Sequence, residues 1–343
     1  MIGFGTLKNG YPAFLYEIKG KRIRALITDF GATVVSLFVR MPDGKERDVV
    51  LGYDNAASYE NGDSFLGAVV GRYADRVANA RFKLGGKTYH LEQNDGVHTL
   101  HSGSLPYSKR LWKTEGPTMG KDQITFALTS PDGDQGFPGE LSLTVTYTIT
   151  EDDALLMETH AVSDSDTVVN ITNHSYFNLK GHDGGSVLDH SLKIEADSYT
   201  PCDADLTVTG EIRPLDGTVF DFRNAKLIGT DIDSDCSELK AAGGYDLNYA
   251  VRGYDGTIRL AATAATQNGI SMELLTNMPG VLLYTGNNLS NVRGKDGTIY
   301  APRSGFCLEA EYFPNAINEP LFLSPILKKG DTYYSYIKYR FSV

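Results

Sequence analysis

Leu141-Ser142-Leu143-Thr144-Val145-Thr146-Tyr147-Thr148-Ile149 places an apolar residue at every odd position and a hydroxyl residue at every even one. A repeat of two matches the strand period, not the helix period, so this stretch predicts a strand with one buried face. Polar residues on the other face suit an antiparallel sheet, whose second side can stay wet. The C-terminus repeats the pattern, with Ile337, Tyr339, Phe341 and Val343 against Tyr336, Lys338, Arg340 and Ser342.

Working outward, the β signature recurs. Residues 23–40 are rich in Ile, Leu, Val and Thr and break at Asp29-Phe30-Gly31, which predicts two strands with a bend at the glycine. Pro42-Asp43-Gly44 is a turn, followed by an expected short strand at 49–51. Gly85-Gly86 between residues 82–84 and 87–91 has the form of a two-residue hairpin. Short apolar runs at 281–285 and 305–309 add further strands. Helical periodicity is scarce; its best candidate is 62–80, weakened by Gly67 and Gly71. Twenty Tyr, fifteen Phe and thirty-six Gly also suit strands joined by turns. No repeat, low-complexity tract or linker interrupts the chain. The expectation is one all-β domain over residues 1–343, two stacked sheets with few short helices.

Composition narrows the function. A net charge of −11 repels nucleic acid and anionic membrane, so neither is an expected partner. Cys202, Cys236 and Cys307 are few, odd in number and without metal-ligand spacing, which suits free thiols in a reducing compartment. The start, Met-Ile-Gly-Phe-Gly-Thr-Leu-Lys, lacks the features of a signal peptide, and no apolar run reaches membrane-spanning length. A cytoplasmic location is therefore expected. Gly3-Phe-Gly5 lacks the rest of a dinucleotide loop, and no Walker sequence exists. Asp231-Ile-Asp233-Ser-Asp235 starts like a calcium loop, but Cys236 holds the glycine position, so it reads as a solvated acidic loop. The seven histidines show no zinc spacing, and Asn170 and Asn173 head glycosylation patterns that matter only on secretion.

One stretch combines core and chemistry. Residues 168–179 begin with the β-branched Val168, Val169 and Ile171, then supply three Asn, a Thr, a Ser, a Tyr and His174. Buried polar groups need partners, so this is either a satisfied network or a site. Other polar positions sit at the edges of apolar runs: Arg76 within Gly71-Arg-Tyr-Ala-Asp-Arg76, His101 before Ser102-Gly103, and Asp246 after Gly243-Gly-Tyr. Glu309 follows Phe306-Cys-Leu, and a buried glutamate needs a partner or a function.

These residues carry a resemblance. Gly71–Arg76 resembles the Gly-Arg-x-Ala-Asn-Arg motif of the aldose 1-epimerase (galactose mutarotase) family, and Leu100–Gly103 its Leu-His-Gly-Gly. The run from Asp132 through Gly136-Phe-Pro-Gly139 resembles its Asp-Gly-x-x-Gly-Phe-Pro-Gly. Thr172–Leu179 matches Thr-Asn-His-x-Tyr-Phe-Asn-Leu in full. Pro279-Gly-Val with Tyr284–Asn287, and Cys307-Leu-Glu309 with Pro314–Asn318, match the last blocks. Six motifs in order span nearly the whole chain. The resemblance implies a large antiparallel β-supersandwich of the galactose mutarotase type.

It also implies a reaction. Mutarotation opens a cyclic sugar at the anomeric carbon and recloses it in the other configuration, with no metal or organic cofactor. A carboxylate suits the base and a protonated imidazole the acid. By motif, Glu309 would be the base and His174 the acid. Arg76 and His101 would bind sugar oxygens near the ring oxygen, and Asp246 would accept from ring hydroxyls beside Tyr176. The implied partner is a monosaccharide, galactose or glucose being the reference sugars, with the chain a monomer or homodimer.

Several positions depart from the family pattern. Asp75 stands where Asn is usual, Glu311 where Gln is common, Ser102 where Gly is common, and Asn315 where Asp is common. Met278 stands beside Pro279 where many members carry a polar residue. Asp75, Met278 and Glu311 join the expected substrate contacts, and two added carboxylates predict an altered sugar preference. Two other classes compete. An isomerase for a phosphorylated hexose would need a basic pocket, and no Lys/Arg cluster accompanies the motifs. A sugar-binding protein of the same fold would be free to lose the acid or the base, and both are present.

Overall fold

The computed structural model describes residues 1–115, 122–267 and 269–343. Leu141–Ile149 is a strand end to end, its odd positions buried and its even ones partly or fully exposed. It pairs antiparallel with Gln123–Ser130 on one side and Ala154–Ser163 on the other. The C-terminal strand Thr332–Ser342 lies next to Ala154–Ser163, and Ser271–Thr276 and Arg259–Ala265 follow it. With Lys113–Glu115, Ser191–Ile194 and Lys226–Leu227 at the margins, the described residues form a nine-stranded sheet, antiparallel throughout. The last strand of the chain thus occupies the sheet's centre, between elements from two distant regions of sequence.

Two five-stranded sheets complete the framework. The N-terminal one is a meander of Ile2–Thr6, Pro12–Lys19, Ile23–Thr28, Thr33–Arg40 and Glu46–Asp48. Its Ile23–Thr28 and Thr33–Arg40 strands bend back at Asp29–Ala32, as the sequence predicts. The other holds Arg213–Pro214, Ala196–Thr200, Asp246–Val251, Gly280–Tyr284 and Cys307–Glu311. The Arg81–Leu84 and Lys87–His90 hairpin forms around Gly85-Gly86 as expected.

Two expectations are corrected. Residues 49–51 are not a strand: the strand is Glu46–Asp48, and Val50 makes only an isolated bridge to Phe177. Residues 62–80 are not a helix. The helix is Ala56–Asn61, capped by the Asn55 side chain on the Ser58 N–H at 2.9 Å. Beyond it, Phe65, Asp75, Asn79 and Ala80 all have left-handed φ, which an α-helix cannot contain. Gly67 shows why its apparent helical face misled. Its φ is +70° and a Cβ there would stand 2.1 Å from the Val34 carbonyl oxygen, so the glycine serves a close strand crossing.

One apolar cluster joins all three sheets. Ile27 and Val34 come from the N-terminal sheet, Val145, Leu274 and Ile337 from the large sheet, and Leu247, Leu283 and Leu308 from the third. Each such buried aliphatic side chain contributes roughly 1.5–3 kcal/mol of transfer free energy. Alternation then decides where the chemistry goes. With Leu247, Leu283, Leu308 and Ala310 turned into the core, their strand neighbours Asp246, Leu282, Tyr284, Glu309 and Glu311 face the opposite side. That side is a cavity. No helix among the described residues is long and apolar enough to cross a membrane.

Candidate active site

The cavity measures about 300 Å³. It brings together eight of the nine residues singled out in the sequence: Asp75, Arg76, His101, His174, Tyr176, Asp246, Glu309 and Glu311. Met278 is the exception and a correction. It is buried in the main apolar cluster and touches Arg259 only through its carbonyl oxygen, 2.9 Å from Nη2. An apolar side chain after Thr276 and before the Gly280–Tyr284 strand gains more from the core than from a polar cavity.

Glu309 arrives on the Cys307–Glu311 strand, opposite Leu282. Glu311, two residues on, shares its face and lies opposite Gly280. Asp246 begins the neighbouring strand, opposite Tyr284. The helix Ser237–Ala242 delivers it: Gly243, at φ +71°, ends the helix and turns the chain into Asp246–Val251.

His174 is held by the polar stretch around it. Its N–H donates to the Ala68 carbonyl and its own carbonyl accepts from Gly67 N–H, both at 2.9 Å. The neighbouring amides secure the surroundings. Asn173 donates to the Gly67 carbonyl at 2.9 Å, Asn178 to the Ser304 carbonyl at 3.0 Å, and Asn170 accepts from Tyr312 N–H at 2.9 Å. Thr172 donates to the Ala310 carbonyl at 3.1 Å, tying the stretch to the Glu309 strand. Residues 168–179 are therefore both things at once: a satisfied network whose His174 and Tyr176 reach the cavity.

The imidazole of His174 is nearly parallel to the rings of Phe65 and Tyr176, at centroid distances of 5.9 and 4.9 Å. Nδ1 is 3.4 Å from Cys307 Sγ, and Nε2 is 3.7 Å from Glu309 Oε1. The other two motifs lock to each other. Asp75 N–H donates to His101 Nδ1 at 3.1 Å, and His101 N–H donates to the Asp75 carbonyl at 3.2 Å. With Nδ1 accepting, neutral His101 carries its proton on Nε2. Ser102 Oγ accepts from Tyr73 N–H at 2.8 Å, a second clasp between the loops. Arg76 donates through Nε to Asp95 at 2.8 Å, with Nη1 3.7 Å from Asp75 and 4.0 Å from Asp246.

Charge states follow from burial. Burial lowers His174 to about 4, and burial with the neighbouring His174 and Arg76 takes His101 well below its usual value. Both are neutral at pH 7. Glu309 is pushed well above the usual carboxylate range by burial, then by Asp75 and Asp246. Burial, Asp75 and Glu309 do the same to Glu311. Asp246 rises to about 6, with burial outweighing Arg76. The resemblance implies a protonated imidazole. Here burial disfavours the imidazolium of His174 and the carboxylate of Glu309 alike, which favours holding the pair's one proton on the carboxyl side.

His174 Nδ1 or Nε2, Cys307 Sγ and a Glu309 oxygen also lie within 4.8 Å of one another, a set that could ligate a metal ion such as Zn²⁺. Sequence spacing hides it, because His174 and Cys307 are 133 residues apart. The sequence reading also missed Asp63, Ser64, Phe65, Leu282, Tyr284 and Asn288, which line the same cavity. Leu282 and Tyr284 had a signal in strand alternation. Phe65 had none, since it falls in the supposed helix.

Residues 15–340 match the family model described as Aldose 1-epimerase. The chain is 36% identical to human galactose mutarotase over 342 residues, covering 99% of this chain and 97% of that protein. It is 36% identical to the aldose 1-epimerase of Escherichia coli K12 over 318 residues, covering 92% and 91%. The crystal structure of a GalM/aldose epimerase homologue from C. elegans superposes with a TM-score of 0.86 at 30% identity, covering 96% of this chain and 99% of that one. Sequence and fold agree along the full length, and the chain belongs to the aldose 1-epimerase family of isomerases.

Proposed function

We propose that the chain interconverts the α and β anomers of an aldohexose such as galactose or glucose, with Glu309 as base and His174 as acid. The observation that supports this most is the 3.7 Å approach of His174 Nε2 to Glu309 Oε1 on the wall of a cavity of about 300 Å³. Two groups so placed can address two oxygens borne by one carbon. An anomeric hydroxyl donating to Glu309 favours its carboxylate, and the pair's proton passes to His174, where the stacked rings of Phe65 and Tyr176 favour a cation.

Glu309 then takes the proton from O1, the bond between C1 and the ring oxygen breaks with its electron pair going to that oxygen, and His174 protonates it. The open-chain aldehyde turns about the C1–C2 bond. His174 takes the proton back as the ring oxygen attacks the other face of the carbonyl, and Glu309 returns a proton to O1. Arg76 and the Nε2–H of His101 donate to sugar oxygens; Asp246 accepts from ring hydroxyls. We read the chain as one domain, monomer or homodimer, in the cytoplasm, where three free thiols are at home.

Polarimetry of freshly dissolved α-D-galactose and α-D-glucose, with and without the protein, tests the reading. A strongly accelerated drift to equilibrium supports it. Unchanged drift with both sugars, and with other free aldohexoses, overturns it in favour of sugar binding without turnover.

A further inference from the structure

The cavity is short of positive charge. Five carboxyl groups line it (Asp63, Asp75, Asp246, Glu309 and Glu311) against a single guanidinium, Arg76. That guanidinium is already shared among Asp75, Asp246 and Asp95. Glu309 and Glu311 are 3% and 1% exposed, so water does little to relieve them. Glu311 has an Asn170 amide 3.4 Å from Oε2, while Arg76, the guanidinium of the cavity, is held by Asp95, Asp75 and Asp246.

The order of groups along one strand gives this deficit a direction. Cys307, Glu309 and Glu311 share a face of the Cys307–Glu311 strand. His174 sits towards the Cys307 end, with Nδ1 on the sulfur and Nε2 towards Glu309. Glu311 therefore lies beyond Glu309, about 7 Å along the strand from it and on the side away from His174. On the reading above, the ring oxygen meets His174 and O1 meets Glu309. The atom on the far side of C1 from the ring oxygen is C2, so a ring held in this way would carry its C2 substituent on the Glu311 side.

We propose that Glu311, supported by Asp75, selects an aldohexose carrying an ammonium group at carbon two, a 2-amino-2-deoxy sugar. The inference rests on the catalytic assignment above and extends it to the substrate class. An ammonium there turns a repelled carboxyl into the acceptor of a charge-assisted hydrogen bond. It also adds a positive charge to a cavity whose single guanidinium is shared among three carboxylates. Sugars with a carboxylate or phosphate near C2 meet the opposite field and are excluded.

The test is kcat/KM for D-galactosamine and D-glucosamine against D-galactose and D-glucose, followed by NMR exchange between anomers at a pH where the amine is protonated. The wild-type protein prefers the amino sugar over its parent and over the neutral 2-deoxy sugar. Glu311→Gln, which keeps the shape and removes the charge, lowers the amino-to-parent ratio about tenfold or more. Asp75→Asn lowers it less. An amino-to-parent ratio unchanged by Glu311→Gln overturns the inference, as does a wild-type preference for the parent hexoses. Turnover of the parent sugars with that unchanged ratio overturns the inference alone, whereas no turnover of any sugar overturns the catalytic reading itself. Should Glu311→Gln fail to fold, the wild-type ranking of amine, hydroxyl and deoxy sugars decides.

Discussion

His174 Nε2 and Glu309 Oε1 stand 3.7 Å apart, too far for a direct hydrogen bond and close enough to act on neighbouring oxygens of one sugar. If this pair carries the proton transfers, each member is needed in the transition state more than in binding. Glu309→Gln and His174→Asn should each lower kcat by ~10²–10⁴ while KM changes little. Steady-state polarimetry over a range of sugar concentrations separates the two constants. A fall confined to KM would make the residues binding groups.

The acid side of the pH profile should fall in two stages. Asp246, raised to about 6, loses its acceptor capacity as it takes a proton. His174, lowered to about 4, gains a second proton for the pair at lower pH and leaves it without a base. The profile of kcat/KM reports groups of the free protein, so both steps should show there. Asp246→Asn should lower activity and abolish the step near 6, leaving the one near 4. On the alkaline side, the limit is loss of the pair's one proton from Glu309, displaced well above the usual carboxylate range.

Cys307 should act on the reaction through His174. With its thiol also raised well above its usual value by burial, it stays neutral, and its sulfur can accept from Nδ1–H, which leaves Nε2 of neutral His174 free to take the pair's proton. The same contact persists when the ring is protonated. Cys307→Val fills the space without that role and should cut kcat by ~10–100-fold, as lost outer partners of catalytic groups typically do. Cys307→Ser should recover much of that loss. A purely structural thiol would show equal effects for both variants and an unmoved pH profile.

Much of this was legible before the structure. Leu141–Ile149 and the C-terminal strand were readable because one face of each is packed and the other is not, which alternation records directly. His174 and Glu309 were readable because a histidine and a glutamate inside apolar runs ask for an explanation. Phe65 and the path of residues 62–80 were not. Their conformation is set by close approach to Val34 and by the backbone of His174, contacts between distant segments that leave no periodicity. Met278 was misplaced for a related reason: adjacency to a motif in sequence says nothing about which side of the strand connection a side chain takes. The charge state of the pair was hidden as well, since it depends on burial and on Asp75 and Asp246 together.

Arg72 should matter to stability without touching sugar. It is fully buried and donates to the carbonyls of Pro138 and Gly139 at 2.9 and 2.8 Å and to Ser130 Oγ at 2.6 Å. This explains why the Gly136-Phe-Pro-Gly139 motif is remote from the cavity yet belongs with Gly71–Arg76. Arg72→Met leaves those acceptors unpaired and should cost at least about 1–3 kcal/mol, the usual penalty for one such buried group, read as a lower denaturant midpoint. Residual folded protein should keep its KM.

Glu311 makes a final prediction about stability against pH. Its carboxyl is raised well above its usual value in the folded protein, by burial first and by Asp75 and Glu309 next. Between the unfolded value near 4.3 and the folded value, the native state binds a proton that the unfolded state has lost. Stability from this group is therefore complete at low pH and declines as pH rises through the window. Glu311→Gln has no proton to lose, so its melting temperature relative to wild type should climb steadily from acid to mildly alkaline pH. The comparison is made in the absence of sugar, because an ammonium-bearing ligand would favour the ionised form and reduce the difference. A parallel offset at all pH values would mean that Glu311 titrates like an ordinary exposed glutamate, and that its neighbours do not act on it.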